Sequence, residues 1–171
     1  ASALNIAAAG AIFDFPAGLA TFSQATIAGP GTLTNTGDIN GSPIIATKVL
    51  NTGTFTPTGT LTFSGANAEL RILAGSKFES GGVNFVGSAV SKGLFVESGG
   101  QLVALGGITT GAVPVQVLGG TVKTAGSSVQ FFGPTTITGA HFDTTAGGIV
   151  AFQPTSVTAL GFPAVSCPVG F

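Results

Sequence analysis

Residues 53–65, Gly-Thr-Phe-Thr-Pro-Thr-Gly-Thr-Leu-Thr-Phe-Ser-Gly, contain two short runs in which polar and apolar side chains alternate. The runs at 54–56 and 61–63 have the two-residue period of β-strands, and Pro and Gly separate them as in tight turns. Val-Asn-Phe at 83–85 repeats the pattern. No stretch of the chain sustains the 3.6-residue apolar spacing of a helix, so the sequence predicts an all-β protein.

Three columns of apolar residues recur along the chain in units of 20–24 residues. The first column is Ile6, Ile27, Val49, Ile72, Phe95, Val117, Ile137 and Val157. The second is Ile12, Leu33, Phe55, Phe78, Leu102, Val122, Phe142 and Phe162. The third is Phe22, Ile44, Phe63, Phe85, Ile108, Phe131 and Phe152.

This repeat predicts a parallel β-helix, or β-solenoid, because three short strands in a unit of this length describe one coil of such a fold. We expect a single domain over residues 1–171 with about eight coils. Residues 153–171 are expected to form a terminal coil or to begin a linker to a Cys-rich module. The short strands and frequent turns also fit a β-sandwich, which stays open as the alternative fold.

The pattern resembles that of right-handed parallel β-helix proteins, which include pectate-lyase-like enzymes and the passengers of bacterial surface adhesins. The segments that carry the resemblance are GTLTNTGDING at 31–41, GTFTPTGTLTFSG at 53–65 and GGVNF at 81–85. The resemblance extends over nearly the whole chain and implies a fold rather than a particular activity.

Composition narrows the function classes. Charged residues make up 6% of the chain and the net charge is −1, whereas nucleic acids and anionic membranes are bound by clustered Lys and Arg. The uncharged segment 102–122 is long enough to cross a bilayer, but it contains five Gly and Pro114 and keeps the spacing of the repeat. We therefore expect no nucleic-acid partner and no membrane span.

Two outward surfaces are candidate binding sites. Thr32, Thr34, Thr54 and Thr56 flank the second column and predict a Thr-rich face, which favours ice or glycan binding. Large aliphatic residues follow the first column on four consecutive coils: Leu50, Leu73, Val96 and Leu118. They predict either a lateral contact stripe between molecules or a corner of the chain that folds into the core.

Catalysis is not expected from the arrangement of charged residues. Glycoside hydrolysis uses two carboxyl groups about 5–9.5 Å apart. No two acidic residues share a column on neighbouring coils, and no carboxylate cluster is expected to face Lys48 and Arg71, which the columns stack on each other. One His and one Cys do not supply a metal site, and we expect no cofactor. A carbohydrate-active lyase or hydrolase, with its site assembled by long loops, is the alternative.

The sequence thus favours a noncatalytic structural or adhesive solenoid, secreted or on the cell surface. Residues 1–9 and 153–171 are uncharged and show no polar cap, so we expect stacking on copies of itself or on adjoining parts of a longer chain, with glycans as a further partner. Cys167 is a candidate intermolecular thiol. Asn40, in Asn-Gly-Ser at 40–42, is a candidate glycosylation site in a turn.

Overall fold

The computed structural model describes residues 2–16 and 18–153 and the backbone of 157–160, and every regular element within them is a β-strand. In chain order the strands are β1 (Ala3–Asn5), β2 (Ile12–Phe15), β3 (Leu19–Ala28), β4 (Thr32–Asn35), β5 (Asp38–Ile45), β6 (Lys48–Asn51), β7 (Thr54–Pro57), β8 (Gly59–Phe63), β9 (Glu69–Ile72), β10 (Lys77–Ser80), β11 (Val83–Gly87), β12 (Gly93–Glu97), β13 (Gln101–Ala104), β14 (Ile108–Thr109), β15 (Val115–Leu118), β16 (Thr121–Thr124), β17 (Ser127–Phe131), β18 (Thr135–Thr138), β19 (His141–Asp143), β20 (Gly148–Phe152) and β21 (Val157–Leu160).

The strands stack in parallel as a β-solenoid of about seven coils with three faces. Face 1 is the eight-stranded sheet β2-β4-β6-β9-β12-β15-β18-β21. Face 2 stacks the first halves of β3 and β5 with β7, β10, β13, β16 and β19. Face 3 stacks β1, the second halves of β3 and β5, β8, β11, β14, β17 and β20. The predicted parallel solenoid is confirmed, and the antiparallel β-sandwich alternative is wrong.

Coil length varies more than the sequence indicates. Thr32 pairs with Lys48, 16 residues later, whereas Glu69 pairs with Gly93, 24 residues later. The short coil arises because β5 continues from face 2 to face 3 without an intervening loop, pairing with β7 through its first half and with β8 through its second.

The core is a stack of inward side chains, one layer per coil. On face 2, Phe55, Phe78, Leu102 and Val122 are buried in register. The Phe55 and Phe78 rings lie parallel with centroids 5.8 Å apart, and Phe85 packs edge-on to Phe78 at 5.6 Å. These layers bury most of the phenylalanine surface of the central coils, which makes apolar burial the main stabilising contribution there.

Two of the predicted columns need correction. The second column is right from Phe55 to Phe142, but Ile12 and Leu33 lie on face 1. In the first column, Val49 pairs with Leu33 and Leu70, not with Ile72. The unequal coils cause this error, because a nearly constant spacing slips against the true register.

Two buried asparagines form a short ladder at the corner between faces 1 and 2. The Asn35 Nδ2 atom donates to the Asn51 Oδ1 atom at 2.6 Å, and the Asn51 Nδ2 atom donates to the backbone carbonyl of Lys77 at 3.1 Å. Each amide also donates to the carbonyl of the glycine two residues later. The ladder therefore satisfies turn carbonyls on successive coils.

No helix within the described residues is long and apolar enough to cross a membrane. The uncharged segment 102–122 instead forms strands of three successive faces.

Candidate functional site

The predicted aliphatic stripe is not a continuous surface. Val96 is fully buried and pairs with Ile72 and Val117 on the inward side of face 1, so its predicted outward position is wrong. Leu50, Leu73 and Leu118 are half-buried, but they do not share one column. Leu50 pairs with Thr34 and Arg71, Leu73 follows β9 at the corner, and Leu118 pairs with Glu97.

The predicted Thr face is also divided. Thr32 and Thr34 lie in β4 on face 1, whereas Thr54 and Thr56 lie in β7 on face 2. The 16-residue coil between β4 and β6 separates the two pairs, because each step along the chain then leads to a different face. The structure therefore contradicts a joint array of these four residues.

An ion cluster on face 1 links three consecutive coils. The Glu69 side chain, 3% exposed, accepts from the Nε atom of Arg71 and lies 3.3 Å from the Lys92 Nζ atom and 3.9 Å from the Lys48 Nζ atom. Arg71 also pairs with Glu97. The expectation that no carboxylate cluster faces Lys48 and Arg71 is wrong.

The aromatic ring of Phe95 completes this cluster. The Arg71 guanidinium carbon lies 4.0 Å from the ring centroid, in the geometry of a cation–π contact. Phe95 therefore faces outward in β12, and its predicted inward position in the first column is wrong. Its buried surface comes from the Arg71 side chain above the sheet rather than from the core.

The cations hold Glu69 in its ionised form. Burial alone would raise the pKa of this carboxyl, but the hydrogen bond and charge of Arg71, together with Lys92 and Lys48, outweigh burial and place the pKa below its usual value. Burial likewise opposes the charged form of Arg71, yet Glu69 and Glu97 raise the pKa of its guanidinium. A general acid needs a carboxyl with a raised pKa, so Glu69 is suited to holding coils together rather than to proton transfer.

We expect Glu69→Gln to lower the free energy of unfolding by about 1–2 kcal/mol at pH 7, because it leaves three cations around a neutral amide. A lowered pKa contributes stability that is present above the model value of 4.5 and is lost as the pH falls below it. The difference from the native protein should therefore narrow between pH 7 and pH 3, as measured by urea unfolding.

The matched control is Glu79→Gln, which removes a partly exposed pair with Lys77 in which the Nζ and Oε2 atoms lie 3.0 Å apart. It should cost less than about 1 kcal/mol. Equal losses for the two variants, or a Glu69→Gln difference that does not change with pH, would show that the cluster is not the stabilising contact described.

Apolar side chains of the core are exposed at the N-terminal end of the solenoid. Phe13 in β2 pairs with Leu33, which is fully buried, yet Phe13 is 43% exposed because no described strand covers β2 on its outer side. Phe15 and Phe22 of the same coil are half-buried. The first described coil thus presents aromatic surface along the axis.

The last complete coil presents a similar aromatic layer. Phe142 and Phe152 are half-buried and pack edge to face with centroids 5.8 Å apart, and Phe152 stacks on Phe131 at 5.1 Å. Among the described strands, β19 and β20 are bonded on one side only. Backbone groups of both strands therefore point along the axis.

The remaining predicted residues have separate surroundings. Asn40 lies within β5 rather than in a turn, and its side chain is half-buried. His141 is exposed beside Thr121. Cys167 and Phe162 lie outside the described residues, as does most of the segment 153–171.

Lys123 and Asp143 pair across adjacent coils, as their shared column indicates, with the Nζ and Oδ2 atoms 3.0 Å apart. The Thr145 hydroxyl and then Lys123 hold the pKa of the Asp143 carboxyl well below its usual range. In the part of the chain that the structure describes, no three His, Cys, Asp or Glu side chains are grouped to hold a metal ion.

The chain matches no protein-family model, and no curated protein or solved structure is significantly similar to it. The likeness to parallel β-helix proteins is therefore one of repeat pattern and of coil architecture.

Proposed function

We propose that the chain is a noncatalytic structural or adhesive module of the cell exterior, whose solenoids stack end to end through their terminal coils. The observation that carries the proposal is the aromatic end of the core, where Phe13 occupies an inward position and is still 43% exposed. Burial of such apolar surface against another molecule is favourable.

The backbone at the two ends supports the same pairing. Strands bonded on one side only leave rows of N–H and C=O groups that template another strand. β2 at one end and β19 and β20 at the other are bonded on one side only among the described strands. Two different ends that complement each other give head-to-tail filaments, since such contacts do not close into a ring.

The charge distribution supports a second copy of this chain as the occupant. A net charge of −1 gives little repulsion between copies, and the only charged residue in β2 is Asp14. An adjoining part of a longer chain is the other occupant that the ends fit, and it would cap the coil without changing the mass of the particle.

The paired charges support a structural role over catalysis. Glu69 and Glu97 contact Arg71, and Asp143 contacts Lys123. A hydrolase of the alternative class would need one carboxyl held protonated near neutral pH. The pKa values of Glu69 and Asp143 are lowered instead, which favours permanent ion pairs between coils.

Phe13→Glu tests the ends directly. It places a charge on the aromatic end, and we expect it to weaken self-association about ten-fold or more, as measured by sedimentation velocity. The control is Val86→Glu, on the outer side of β11 in the middle of the solenoid, where the native side chain is 51% exposed. This control should associate like the native protein.

Circular dichroism establishes that both variants keep their strands. Association that is equally weakened by both variants, or by neither, would contradict stacking through the N-terminal coil.

A further inference from the structure

The backbone is irregular where β3 bends from face 2 to face 3. The register of β3 against β5 shifts between Ser23 and Thr26. Within this irregularity Gln24 has a φ of 54°, the one positive φ of a non-glycine residue among the described residues. Such bulges turn side chains to new directions, and strained backbone of this kind concentrates at functional sites.

A groove lies over this bend, along the corner between faces 2 and 3 of the first three coils. It consists of two depressions of about 610 and 340 Å³ that meet at Ser42, and we call it the corner groove. Both volumes fall within the range of small-molecule sites. Gln24 lines the larger depression, so the strained residue belongs to the groove.

Uncharged hydrogen-bonding groups line the corner groove. Hydroxyl groups come from Thr21, Ser23, Ser42, Thr58, Thr60 and Thr62. The amides of Gln24 and Asn40 join them, and the Asn40 Oδ1 atom is enclosed with no hydrogen-bond partner. No charged residue lines either depression in the part of the chain that the structure describes.

This lining selects a chemical class of ligand. Hydroxyls and amides donate and accept hydrogen bonds, which matches the hydroxyl groups of sugars, whereas an acidic sugar would need a cation to replace its hydration. Ice would need a flat and regular array, and the bulge makes this surface concave and irregular. Ile44 is the one large apolar side chain in the lining.

We infer that the corner groove binds a neutral oligosaccharide through hydrogen bonds to Gln24 and to the hydroxyls beside it. The inference does not depend on end-to-end stacking, because the groove lies on the side of the solenoid. Without an aromatic platform, binding rests on hydrogen bonds that compete with water, so we expect a dissociation constant of about 1 mM.

Isothermal titration tests the inference with cellohexaose, laminarihexaose, maltohexaose and mannohexaose, and with trigalacturonate as the acidic comparison. At least one neutral hexasaccharide should bind, and trigalacturonate should not. The Gln24→Gly variant should bind about five-fold more weakly or worse. Its melting temperature should stay the same or rise, because glycine adopts a positive φ without strain.

Thr109→Ala, on face 3 outside the groove, is the control and should bind like the native protein. Failure of all four neutral sugars at about 5 mM, equal binding of trigalacturonate, or full binding by Gln24→Gly would overturn the inference. Sedimentation of Gln24→Gly should match the native protein, so that loss of sugar binding and loss of stacking are separate results.

Discussion

Replacing Phe85 with alanine is expected to lower the free energy of unfolding by about 3–5 kcal/mol. The side chain is 2% exposed in the middle of the stack, and its ring centroid lies 5.6 Å from that of Phe78 and 5.9 Å from that of Phe63. Coils above and below hold this layer rigidly, so the cavity left by the ring cannot collapse. Urea unfolding followed by circular dichroism measures the loss.

Thr56→Ala is the matched control on the outward side of face 2. Its side chain is half-buried and points away from the core, so we expect a loss of less than about 0.5 kcal/mol. Equal losses for the two variants would mean that the inward and outward positions are assigned wrongly.

Replacing Gly93 with alanine is expected to cost about 2–5 kcal/mol, for two reasons that add. The residue has a φ of 79°, which L side chains rarely adopt, and an added Cβ atom would lie 1.9 Å from the backbone oxygen of Pro114. The contact is with backbone of the next coil, so β12 and β15 must move apart to relieve it.

Gly75→Ala separates the two causes. Gly75 has a φ of 77°, but an added Cβ atom would meet nothing within 4 Å. We expect a cost of about 1–2 kcal/mol from the backbone conformation alone. Thermal and urea unfolding of both variants would contradict the coil spacing if Gly93→Ala cost no more than Gly75→Ala.

The sequence predicts the fold and the face 2 core well, because each strand there offers one large apolar residue to the interior. In Lys-Phe-Glu at 77–79, for example, only Phe78 can be buried cheaply. The period of two then determines which neighbours face outward.

Face 1 is harder to predict because its strands offer two inward apolar residues. Leu70 and Ile72 are both buried, so a slip of two residues keeps the alternation and the sequence alone does not choose between registers. Consecutive apolar residues at 94–96 remove even the alternation. The cation–π contact with Arg71 decides that Phe95 faces outward, and this contact exists only in the folded protein.

The ion cluster is missed for the same reason. A slip of two residues places Lys48 beside Arg71, whereas in the structure it pairs with Glu69. Lys92 reaches the cluster from the segment before β12, which no column includes. One signal marks the register: Asn-Thr-Gly occurs at 35–37 and again at 51–53, and its step of 16 residues is the true length of that coil.

End-to-end stacking is tested most directly by the mass of the native protein as a function of its concentration. Size-exclusion chromatography with light scattering, in reducing buffer so that Cys167 forms no disulfide, should give a mass that rises above 16.6 kDa with concentration. Electron micrographs should show rods longer than the length of about 34 Å that seven coils span. A single species of 16.6 kDa at every concentration, with no rods in the micrographs, would contradict stacking.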